Sequence, residues 1–170
     1  MTNLIKRANE IALKVHKNQK DKLGYPYEDH IKHVALEVQH LGINYEITGL
    51  LHDAIEDAEP NEFKKEIVLE IKKEFSKEVQ DAIKSMSKKK NEDYFQDYLP
   101  RLKQNIIAIE VKKADASHNL GKAHLIEDSA LQNKLRKKYK RVLKELGAAK
   151  LYEERIYYSN NEWRSIEIKE

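Results

Sequence analysis

Apolar residues return at three- and four-residue spacing along almost the whole of this 170-residue chain, and that period commits it to amphipathic helices. Leu4, Ile5, Ala8, Ile11, Ala12 and Val15 share one face of a first helix, with Thr2 placed to cap it. Ile31, Val34, Ala35, Val38 and Leu41 mark a second, ending near Gly42. Asn44 is placed to cap a third, whose Ile47, Leu50, Leu51, Ala54 and Ile55 spread over so wide an arc that it should lie centrally. Asn61 and Ser76 are placed to cap two more. Residues 94–104 read as a helix that Pro100 kinks or breaks. Ile107, Ile109 and Val111 alternate as in a strand. Ile106, Ala108, Val111, Asp115 and Asn119 also keep helical phase, and no second strand candidate offers a partner, so a helix is expected there. Ser129 is placed to cap a long basic helix ending at Gly147, residues 148–158 are expected to continue as a short helix, and the last dozen residues, with Trp163, carry no assignment. The expected fold is an all-α helical bundle, one domain over residues 1–150 with an extension over 151–170.

Composition removes several classes of function. Without cysteine the chain has no disulfide framework, no thiolate zinc site and no thiol nucleophile, which fits a reducing compartment. Thirty-two basic residues against 29 acidic give a net charge of +3, too balanced to argue for nucleic acid or a membrane surface as partner. No apolar run reaches membrane-spanning length, and the opening MTNLIKRANE has no apolar signal-peptide core, so a cytoplasmic location is expected. Oligomeric state is left open.

Histidine and carboxylate concentrate at three places. His52, Asp53, Glu56 and Asp57 crowd into the apolar stretch LLHDAIED. Burying unpaired carboxylates costs several kcal/mol in order of magnitude, a cost that a divalent cation offsets; the alternative is that the helix ends near Ala54 and the two acids lie in solvent. His30, in PYEDHIKHVA, can face the core beside Ile31 and Val34, and Asp115, in VKKADASHNL, follows Ala114 with Asn119 one turn beyond. His30, His52, Asp53 and Asp115 would bring two imidazoles and two carboxylates from three helices. That mixed donor set suits Mn²⁺, Fe²⁺ or Zn²⁺, with Mg²⁺ possible.

In this order the segments resemble the HD-domain phosphohydrolase superfamily, and within it the (p)ppGpp hydrolase domain of RelA/SpoT-type enzymes and the small alarmone hydrolases. HKNQKDKLGYPYEDHIKHVA, LLHDAIED and VKKADASHNL are each similar to a motif of that branch, over residues 8–125. The resemblance implies an HD-domain bundle holding one Mn²⁺ through His30, His52, Asp53 and Asp115. Glu56 and Asp57 would position and activate the attacking water, Asn119 would meet the substrate's sugar or help orient the site, Lys22 would meet a phosphate or base, and Tyr27 would wall the pocket. His16 and His118 fall next to the site. Arg101, after Tyr94 and Tyr98 on one helix, is a substrate-binding candidate outside the motifs, while the basic runs 88–90 and 136–141 are expected to be solvated. Two positions depart from the branch, where arginine is common: Asp21, and the run Leu120-Gly121-Lys122. The implied activity is metal-dependent removal of the 3′-pyrophosphate of (p)ppGpp, giving GDP or GTP. The alternatives are a phosphomonoesterase acting on a deoxynucleoside monophosphate or on the 2′-phosphate of NADPH, and a nucleotide-sensing module without turnover.

Overall fold

The computed structural model describes residues 2–148 and 155–166. Helices α1 (Asn3–Val15), α2 (Tyr27–Val38), α3 (Ile43–Leu51), α4 (Ala54–Asp57), α5 (Asn61–Glu74) and α6 (Lys77–Met86) are followed by a π-helical turn, Tyr94–Tyr98, that runs into α7 (Leu99–Leu102). Then come α8 (Ile106–Lys122) and α9 (Ser129–Glu145), and finally two short strands, β1 (Arg155–Ser159) and β2 (Glu162–Ile166). Among the described residues no helix is long and apolar enough to cross a membrane.

The helical periods place the core. Ile5, Ala8, Ile11 and Ala12 of α1 meet Ile31 and Ala35 of α2 and Ile47, Leu50 and Leu51 of α3 in one apolar cluster, which α5 and α6 extend. Val34 and Val38 join Tyr98, Leu99, Leu102, Val111 and Leu143 in a second cluster around α8. As expected, α3 is central, packing on α1, α2, α6 and α8. Thr2 and Ser76 cap their helices through side-chain oxygens. The other caps differ from expectation. Gly42 precedes α3, and Asn44, inside it, donates to Glu78. Pro60 precedes α5, and Asp128, accepting from the Ala130 and Leu131 amides, caps α9 in place of Ser129.

The contact of α2 with α3 is tight enough to exclude a methyl group. A Cβ on Gly49 would stand 2.8 Å from the Ala35 Cα. Gly49→Ala is therefore expected to destabilise the protein by about 1–3 kcal/mol in urea unfolding, because overpacking outweighs the roughly 1 kcal/mol by which alanine favours a helix.

The C-terminal region departs from the expected helix. Arg155–Ser159 pairs antiparallel with Glu162–Ile166, in register Tyr157↔Arg164 and Tyr158↔Trp163. Asn160 and Asn161 turn the hairpin with φ of 53° and 61°, the left-handed pair of a two-residue turn that matches strand twist. The hairpin packs against α2 and α8. Of the helix expected over 148–158, residues 149–154 lie outside the described residues.

Candidate metal centre and catalytic cleft

The third helix does not run through its histidine and aspartate. α3 ends at Leu51 and α4 begins at Ala54, so His52 and Asp53 occupy the turn between them. In that turn the His52 Nδ1 lies 2.8 Å from the Gly49 carbonyl. A carbonyl only accepts, so Nδ1 carries the hydrogen and Nε2 faces inward. His30, fully buried on α2, faces it. Ligand atoms of His30, His52 and Asp53 all lie within 4.8 Å of one another, close enough to share one metal ion.

Two observations fit a cation there. His52 Nε2 is buried and has no aligned hydrogen-bond partner, although Asp53 Oδ2 stands 3.0 Å away. Burial draws the His52 imidazole down, but the Asp53 carboxylate holds it up, at about 9. Burial would raise Asp53, yet the His52 charge keeps it below the usual carboxylate range. A divalent cation between them would take over the charge balance that His52 and Asp53 otherwise give each other. Asp115, the fourth expected ligand, reaches His30 Nε2 at 3.3 Å. Its other contacts are Lys112 at 2.7 Å and Asn119 at 2.6 Å. Asn119 therefore orients Asp115 while also lining the cleft. Tyr27, expected as a wall, donates to Asp53 Oδ2 at 2.6 Å.

Above the cluster opens a cleft of about 350 Å³, within the size of small-ligand sites. Glu56 and Asp57 line it together with Asp53 and Asp115. The Lys88 amide donates to Glu56, and Gln19 donates to Asp57 at 2.9 Å while its carbonyl oxygen meets His16 Nδ1 at 2.7 Å; His16 Nδ1 also stands 3.8 Å from Asp57. Burial pushes both carboxyls up, which makes them better proton acceptors than solvated ones. Lys22 also lines the cleft.

Several lining residues were not expected. Lys88 and Lys138 come from runs read as solvated, and Tyr139 was not singled out. The signal was available: Leu135, Lys138 and Tyr139 stand at helical spacing on one face of α9. The Lys138 ammonium sits 4.2 Å from the centre of the Tyr94 ring.

Arg101, expected to bind substrate, is not among the residues that line the cleft. Its guanidinium holds Glu92 through two bonds, at 2.6 and 2.8 Å, and donates to the carbonyls of Lys84, Ser85 and Ser87. Arg101 thus clasps the segment that carries Lys88. Arg101→Lys is expected to lower the melting temperature, since an ammonium cannot reproduce the planar fork; an unchanged melting curve would show the clasp to be dispensable.

A family model for the HD domain matches residues 27–120, more than half of the chain. The chain belongs to the HD domain family. The HD domain of the match spans His30, the His52–Asp53 turn and Asp115, and so encloses the whole cluster. Over 57 residues, 32% of the chain, it is 46% identical to the guanosine-3′,5′-bis(diphosphate) 3′-pyrophosphohydrolase of Aquifex aeolicus. Over 127 residues, 69% of the chain, it is 32% identical to the GTP pyrophosphokinase of Myxococcus xanthus. Those stretches are 8% and 17% of the two relatives, so the chain spans less than a fifth of their length. A solved structure, described as a metazoan ortholog of SpoT that hydrolyzes ppGpp, superposes with a TM-score of 0.72 over 89% of this chain and 91% of that one. At 18% identity this likeness concerns the HD-domain fold.

Proposed function

We propose that this HD domain is a Mn²⁺-dependent (p)ppGpp 3′-pyrophosphohydrolase that releases GDP or GTP and pyrophosphate. The supporting observation is one of arrangement: through Asp53 the His30–His52–Asp53 cluster borders a cleft lined by two carboxylates of raised proton affinity and by lysines and tyrosines suited to a nucleotide. The Aquifex aeolicus relative is named for that reaction, which favours a 3′-pyrophosphate over other phosphoesters.

His30, His52, Asp53 and Asp115 would hold the ion. When bound, a divalent cation supplies a Lewis acid and lowers the pKa of water beside it. Glu56 and Asp57 orient the attacking water and take its proton. The water oxygen bonds to the 3′-phosphorus, the bond from phosphorus to the ribose oxygen breaks, and the ribose oxygen takes up a proton. Lys112 balances Asp115, and Lys22, Lys88 and Lys138 supply positive charge for the phosphates. Tyr94 and Tyr139 offer rings against which a base can pack.

A substrate panel tests the reading. Purified protein with Mn²⁺ is given ppGpp, NADPH or deoxyadenosine monophosphate, and products are resolved by anion exchange. The expected result is pyrophosphate from ppGpp as the preferred reaction. Orthophosphate from the other two with ppGpp intact would replace it with the phosphomonoesterase reading, and tight ppGpp binding without turnover would point to a sensing module.

A further inference from the structure

The β1–β2 hairpin contributes no residue to the cleft, yet it packs behind the metal-binding cluster. β2 places Trp163, 6% exposed, edge-on to the His118 ring, with centroids 5.3 Å apart and planes at 84°. The His33 ring lies 4.3 Å from His118 as well. His118 Nδ1 in turn stands 2.6 Å from His30 Nδ1. Only one hydrogen can lie between two neutral imidazole nitrogens. For His30 to turn a lone pair toward the cluster from Nε2, the hydrogen must sit on its Nδ1, so His118 is the acceptor.

The hairpin is fastened at several points near this chain of rings. The Tyr158 hydroxyl donates to Asp29, the residue before His30, at 2.5 Å. Tyr25 packs on Tyr158 and Trp163 at 4.2 and 5.1 Å between ring centroids. The Lys122 ammonium stands 5.4 Å from the centre of the Trp163 ring.

We propose that the hairpin is a positioning element for the metal centre, with Trp163 holding His118 and His118 holding His30. The proposal rests on the reading of His30 as a metal ligand. Loss of an outer partner of a ligating histidine costs metal affinity about 10–100-fold. Removing Trp163 should therefore weaken metal binding by acting through His118, without touching substrate.

The test is calorimetric titration of the full chain with Mn²⁺, with circular dichroism confirming the fold of each variant. His118→Leu is expected to raise the Kd by about 10–100-fold, and His118→Asn, which keeps an acceptor for the His30 N–H, to recover most of the loss. Trp163→Ala is expected to raise the Kd about 10-fold in the wild-type background and to add little in the His118→Leu background. Should Trp163→Ala fail to fold, Trp163→Leu completes the same cycle. An unchanged Kd in Trp163→Ala or His118→Leu would overturn the proposal. So would equal effects of Trp163→Ala in both backgrounds, which would make the hairpin a general support. His30→Ala separates the two levels: if it binds Mn²⁺ as tightly as wild type, the ligand reading fails and the proposal falls with it.

Discussion

Asp53→Asn is expected to reduce kcat/KM by about 10³-fold or more, the equivalent of the several kcal/mol that a bound metal contributes to transition-state charge stabilisation. Asp53 is the residue on which the site's geometry converges. It accepts from Tyr27, stands 3.0 Å from His52 Nε2, and begins the short helix that carries Glu56 and Asp57. The same substitution should remove the stabilisation that the metal gives. A ligand at a hundred times its Kd stabilises the folded state by about 2.7 kcal/mol, which for a chain of this size is about 5–10 °C in Tm. Mn²⁺ is therefore expected to raise the melting temperature of the wild type by that amount and to leave Asp53→Asn unmoved. Full activity together with a full Mn²⁺-dependent shift in the variant would remove Asp53 from the metal centre.

The second large effect concerns the loop at the mouth of the cleft. Asp21→Arg is expected to cost about 3–5 kcal/mol in urea unfolding, the range for breaking a buried ion pair from one side. Asp21 Oδ2 accepts from the Lys122 ammonium at 2.9 Å, and both side chains are buried. Oδ1 accepts from the Leu23 and Tyr25 amides, and Gly24 allows the turn at φ +86°. Arginine would remove all three acceptor contacts and set a second cation against Lys122. Asp21→Arg combined with Lys122→Glu restores opposite charges and is expected to be more stable than Asp21→Arg alone. A loss under about 1 kcal/mol in the single variant would show that the pair does not hold the loop.

That pair also shows what a sequence can and cannot disclose. Asp21 and Lys122 were visible as two separate departures from the alarmone-hydrolase pattern. The structure makes them one, because 101 positions of chain close to bring them into contact. Helical phase identified α1, α2, α3 and α8 and most of their inward residues, since period follows from burial, but Leu4, Leu41 and Ile106, which keep the same phase near helix ends, are exposed. The motif residues His30, His52 and Asp53 were legible for the same reason: their spacing on apolar faces leaves few places for them to point. Local chemistry was less so. No glycine or proline marks the break at His52–Asp53; α3 packs on α1, α2, α6 and α8, whereas α4 packs on α1 and α5. The hairpin stands where a short helix is expected; Asn160-Asn161, between Tyr157-Tyr158 and Trp163, is its turn signal. Arg101 shared a segment with Tyr94 and Tyr98 in sequence, but its long side chain reaches back to Glu92 and away from the cleft.

The most direct measurement is turnover of ppGpp by the purified chain with Mn²⁺ in H₂¹⁸O, with both products analysed by mass spectrometry. Attack of water on the 3′-phosphorus is expected to give GDP without label and pyrophosphate carrying one ¹⁸O. No turnover, or label in the GDP, would contradict the assignment of this cleft as a 3′-pyrophosphohydrolase site.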